Sequence, residues 1–135
     1  MSYSERIIQK MKEMYIVDYQ AKLHIDKAQH SIHVFFSDMK FKLRIVEKKT
    51  SDVMIRIQDS VPGMFVEVII LDHKLGFERT PEGLITVWIE IGDKSSELDL
   101  LQWDGNIVQS YRFKKEFTIP MLNVYLREAF DDILF

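Results

Sequence analysis

Four histidines, at positions 24, 30, 33 and 73, and the run Asp72-His73-Lys74 are the residues whose types and spacing bear most directly on chemistry. Val17, Tyr19, Ala21, Leu23 and Ile25 alternate with Asp18, Gln20, Lys22, His24 and Asp26, which predicts a half-buried strand. With residues 27–30 as a turn, Ile25/Ile32, Leu23/Val34 and Ala21/Phe36 fall on one face of a hairpin. His24 and His33 then oppose each other on its polar side. Two histidines are half of a metal site, and a catalytic metal needs a third protein ligand and an open position. Asp26 and Ser31 do not supply one, so no metal ligand set is assigned.

Asp72-His73-Lys74 follows the apolar run VEVIIL and imitates the strand, acid, x, lysine order of metal-dependent nucleases. That chemistry needs a second carboxylate to share a divalent cation, while the lysine positions the attacking water. Asp59 lies at the far end of the strand that Asp72 closes, roughly 26 Å away at strand rise. Asp52 falls near Asp72 in the same hairpin, so Asp52, Asp72 and Lys74 form the one trio left for a phosphodiesterase. The chain has no GxSxG, GxxxxGK[ST], GxGxxG or HExxH motif, and its five glycines are scattered over turns. Zero cysteines exclude thiolate zinc sites, iron–sulfur ligation and a Cys nucleophile. No cofactor is expected.

The remaining candidate is a surface. If residues 17–26, 31–36, 40–47 and 53–58 are strands, Lys22, His24, His33, Phe35, Lys40, Lys42, Arg44 and Arg56 all project away from the apolar face. Such a basic stripe fits an acidic protein partner through complementary charge. With one aromatic in the stripe and a net charge of -3, nucleic acid is disfavoured. Acidic Glu128, Asp131 and Asp132 crowd the end of the last predicted helix, where cations are normally preferred, so either a basic partner or the basic stripe of a neighbouring copy offsets them, or solvent does.

The elements that must position these groups are readable in outline. A helix is predicted over about 4–15 from Ile7, Ile8, Met11, Met14 and Tyr15, with Ser2 and Glu5 as a capping box. Residues 64–71 and 84–91 are apolar on both faces and predict interior strands, with 72–83 as the long loop between them. Asp104-Gly105 predicts a hairpin joining 97–103 to 106–113, the first of which also reads as a short helix. Thr118 and Pro120 open a final helix to about 133, with Ile119, Leu122, Leu126, Ala129, Phe130 and Ile133 on one stripe.

Length 135, with 47% hydrophobic and 29% charged residues, describes a single α+β domain over 1–135 that needs no staple. The expected fold is one antiparallel sheet of about six to eight strands in meander order, with an N-terminal and a C-terminal helix packed on one face. No stretch is apolar enough to span a membrane, and the charged N-terminus does not resemble a secretory leader, which points to the cytoplasm. Isoleucine outnumbers leucine and lysine outnumbers arginine, as in AT-rich bacterial or phage genomes. The functional expectation is a protein-interaction domain of the inhibitor, immunity, adaptor or chaperone kind, acting through the basic sheet face with no chemistry of its own; a homo-oligomer stays open. The alternatives are the Asp52, Asp72, Lys74 nuclease and a binder of a small apolar ligand between sheet and helices.

Overall fold

Between Ser2 and Asp59 the chain contains neither glycine nor proline, and the computed structural model, which describes residues 2–59 and 62–135, makes most of that stretch one helix. Helix α1 runs Tyr3–Lys42. The Ser2 side chain accepts the Glu5 backbone N–H, and the Glu5 carboxylate accepts the Ser2 N–H, so the capping box forms as expected. The predicted strands over 17–26 and 31–36 are therefore helical, as is the predicted turn 27–30. The side chains of residues 16–18, which opened the expected strand, lie outside the described set.

The segment carries two periods at once. Its alternation is real, but Ala21, Ile25, Ala28, Ile32, Phe36 and Met39 also recur at three-and-four spacing. Packing selects the second pattern: Ile25, Ala28, Ile32 and Phe36 are buried, whereas Tyr19 and Val34, which the strand would have placed inward with them, are exposed. Ion pairs Lys22–Asp26 and Asp38–Lys42, each four residues apart, add local support. The predicted third strand over 40–47 is likewise helical. Leu43 ends α1, and a short helix α2, Arg44–Lys49, follows.

The sheet has seven antiparallel strands in strict sequence order: β1 Val53–Ile57, β2 Gly63–Ile70, β3 His73–Arg79, β4 Ile85–Ile91, β5 Lys94–Trp103, β6 Val108–Ser110 and β7 Lys115–Glu116. This is the expected meander, with the ambiguous 97–103 segment resolved as strand. The predicted loop over 72–83 is corrected, because most of it is β3. Gly76, of a residue type that weakens strand interiors, pairs with Trp88 on β4. A Cβ there would come within 3.1 Å of the Met64 Cε atom, so the glycine leaves room for a neighbouring side chain to lie across the strand. The true turn is short, from Thr80 to Gly83, where Gly83 adopts φ +85. Ser60 and Val61, between β1 and β2, lie outside the described residues.

Helix α3, Pro120–Leu134, starts one residue later than expected, with Ile119 at its N-cap and Pro120 in its first turn. It buries Met121, Leu122, Tyr125, Ala129 and Phe130. Phe36 of α1, Phe65 of β2, Phe77 of β3 and Tyr125 of α3 join in one aromatic chain, with Phe77 at its hub and ring centroids 5.3 Å from Phe36, 6.4 Å from Phe65 and 6.1 Å from Tyr125. That chain lies in the buried core between sheet and helices.

Candidate functional site

The eight residues expected to form a basic sheet face do not share a face. Lys22, His24, His33, Phe35, Lys40 and Lys42 lie on α1, Arg44 on α2 and Arg56 on β1. On a helix, side chains radiate at 3.6 per turn instead of alternating between two sides, so the stripe disperses. His24 and His33, nine residues apart, point to opposite sides of α1 and sit about 13 Å apart along its axis. His24 stacks on Trp103, with ring centroids 4.2 Å apart. His33 lies 3.8 Å from Asp59.

The cations are also individually engaged. Lys22 pairs with Asp26 at 2.7 Å, Lys42 with Asp38 at 2.9 Å, and Arg56 approaches Glu67 at 4.0 Å. The Arg44 guanidinium lies over the Phe41 ring, 4.1 Å from its centroid. Lys40 donates to the Glu47 carboxylate at 3.0 Å and to the Ile55 carbonyl at 2.6 Å. Phe35 packs edge-on to Phe36 and is only partly exposed.

The Asp52, Asp72 and Lys74 trio is not assembled. Asp52 does lie beside the β2–β3 turn, its carbonyl accepting the Leu71 N–H. The Asp72 carboxylate is committed to His73 Nδ1 at 2.8 Å, and Lys74 points to the opposite sheet face, onto Glu67 at 2.6 Å and Glu90 at 3.4 Å. The hydrogen bond to Glu67, reinforced by both carboxylates' charge, raises the Lys74 pKa against the opposing effect of burial. Lys74 is thus one rung of an Arg56, Glu67, Lys74, Glu90 ladder of alternating charge. Among the described residues, no group of three or more His, Asp or Glu side chains is arranged to hold a metal ion.

Three polar clusters that sequence reasoning missed fasten the helices to the sheet. Arg79, 3% exposed at the end of β3, donates to Asp26 and Gln29 of α1 at 2.8 and 2.7 Å. Burial alone would push the Asp26 carboxyl up, but the Lys22 and Arg79 cations outweigh it and hold the pKa low. Asp99 on β5 accepts the Tyr125 hydroxyl, the Ser110 hydroxyl at 2.5 Å, and the backbone N–H groups of Leu100 and Arg112. Burial, and then the bond to Asp99, drive the Tyr125 pKa far above its ordinary value. His73 bridges Asp72 and Asp132. With the Arg112–Glu128 pair, it places basic groups of the same chain at the acidic end of α3, where a partner, a neighbouring copy or solvent was expected. Alternation around Asp99 and Arg79 gives no hint of these partners, which come from elements far apart in sequence.

A shallow groove of about 610 Å³ beside α1 is lined by His30, Ser31, Val34, Phe35, Asp38 and Ile119 and lies open at the surface.

The first third of α1 leaves a row of large apolar side chains uncovered. Every residue from 2 to 15 is exposed, and Tyr3, Ile7, Ile8, Met11, Met14 and Tyr15 keep between 43 and 75% of their area in solvent. They form one stripe, and it is the same stripe that packs on the sheet further along. Ile7 and Ile25 are eighteen residues apart, as are Met14 and Ile32, which is five full turns and hence one azimuth. Ile25 and Ile32 rest on the core, while Ile7 and Met14 have run past the edge of the body. Comparison with known proteins finds no matching family model, no matching curated protein and no matching solved structure.

Proposed function

We propose that this protein is an interaction module, of the inhibitor, immunity, adaptor or chaperone kind, that docks on another protein through the exposed stripe of α1. One observation carries the reading: an apolar helix face that seats on the sheet from Ala21 onward continues for about 20 Å with nothing beneath it. An isolated helix of that length is marginal in water, and most helical stability comes from packing an amphipathic face. Rows of large apolar side chains at this spacing are the anchors by which helices enter partner surfaces. The acidic partner expected from the basic stripe loses its basis, because those cations are dispersed and mostly engaged within the chain. A cytoplasmic setting stays part of the proposal: the cysteine-free composition suits a reducing compartment, and no described helix is long and apolar enough to cross a membrane.

The test is a photo-crosslinking amino acid placed at Met11, on the stripe, or at Gln9, on the opposite polar side, in cells that produce the protein natively. Protein adducts are expected from position 11 and not from position 9. Absence of any adduct at position 11 would end this reading.

A further inference from the structure

We infer that the occupant of the exposed stripe is a second copy of this chain, docked antiparallel over residues 3–15. The inference rests on the interaction face just proposed and names its partner. Its first support is self-complementarity. The apolar stripe is bordered on one side by Arg6 and Glu13 and on the other by Glu5 and Lys12; the members of each pair are seven residues apart, about two turns, and so hold the same side. A two-fold axis perpendicular to the helix at the level of Gln9 turns each border onto itself. Ile7 then meets Met11 of the second copy, and Tyr3 meets Tyr15. Within one residue of that register, Arg6 reaches Glu13 of the second copy and Glu5 reaches Lys12. Apolar residues face apolar ones, and the Arg6–Glu13 and Glu5–Lys12 pairs are of opposite sign and outnumber the one like-charge approach, that of Lys10 to Lys10 of the second copy near the axis.

The second support is steric. The stripe is covered by the chain's own sheet from Ala21 onward, so a parallel helix laid along it would run into that sheet. In the antiparallel register, Tyr3 of the second copy stops at the level of Tyr15, short of the body. The two bodies then stand at opposite ends of the paired segment, with the two Tyr19 residues about 30 Å apart along the axis. The third support is area. Six half-exposed large side chains and their flanking stems, contributed twice, bury on the order of 1,200 Å², the lower limit for specific stable interfaces. The expected dimer is therefore reversible and concentration-dependent.

Light scattering on the purified full-length chain tests this. A species of about 32 kDa, twice the 16.1 kDa chain, is expected to grow in with concentration. Met14→Glu should abolish it with the unfolding transition of the body intact, which separates lost docking from lost folding. Arg6→Glu and Glu13→Arg should each weaken dimerisation about tenfold, and the double variant should restore it. The cysteine-free background allows a register test: chains carrying Ile7→Cys should oxidise to a cross-linked pair with chains carrying Met11→Cys faster than with themselves. A chain that stays monomeric at every concentration, or a dimer indifferent to Met14→Glu, overturns the inference. In that event, adducts at Met11 with a different protein would leave the interaction reading standing. Binding to phosphatidylglycerol vesicles with no protein adduct at all would remove both.

Discussion

His73 brings carboxylates from two distant parts of the fold to one imidazole: Nδ1 meets Asp72 in the β2–β3 turn at 2.8 Å, and Nε2 meets Asp132 near the end of α3 at 3.2 Å. Both contacts are best served by the doubly protonated ring, and the bond to Asp72, then that to Asp132, raises the His73 pKa above its ordinary 6.5. A raised folded-state pKa contributes stability that is complete below 6.5 and lost as pH climbs through the folded value. Thermal melts should therefore show the melting temperature falling between about pH 6 and pH 8. His73→Gln should flatten that dependence, and equal slopes in both proteins would show that the bridge contributes nothing. None of this was legible beforehand. Asp72-His73-Lys74 suggested nuclease chemistry because adjacent residues were read as neighbours, whereas pleating sends His73 to the helix side and Lys74 to the other.

At the scale of the element, α1 offers an internal control. Ile7 and Ile25 share an azimuth on the same helix and differ only in what lies beneath them. Ile25→Ala should cost about 2–5 kcal/mol, because it empties a packed site. Ile7→Ala should change the stability of the dilute monomer by less than about 0.5 kcal/mol. Chemical denaturation of both variants at low protein concentration decides this; an equal loss would mean that residues 3–15 pack on the body. The helix also shows where sequence reading reaches its limit. Residues 17–36 satisfy a period of two and a period of 3.6 together, and β-branched and aromatic residues tilt the local reading to strand. The decision was tertiary: the helical pattern lays Ala28 onto the sheet with Ile25, Ile32 and Phe36 and leaves Tyr19 and Val34 in solvent. The four strands read from runs such as MFVEVIIL and LITVWIEI had no competing period, and their places in the meander were accordingly recoverable.

For the molecule as a whole, the fold class, the antiparallel meander and the presence of terminal helices were legible, while the proposed interaction surface was not, because it depends on residues 17–47, which read as strands. The sheet loses three expected strands at its start, gains β3 in the middle and the short β7 at its end, and is a meander of seven. A consequence follows for the β1 side of that sheet. Asp52 O and Gln58 N bond to β2, so the intervening odd-numbered residues turn their peptide groups outward. At Ile55 those outward groups are taken: the carbonyl accepts from Lys40, and the N–H points at the Glu47 carboxylate 3.5 Å away. A lysine and a glutamate thus stand where an eighth strand would pair, and stray strands from unfolded neighbours are refused there. Replacing both, Lys40→Ala with Glu47→Ala, should speed thioflavin-positive aggregation at matched stability, and an unchanged rate would deny them that role. With annexation blocked along this border, fibre growth from it is expected to be suppressed.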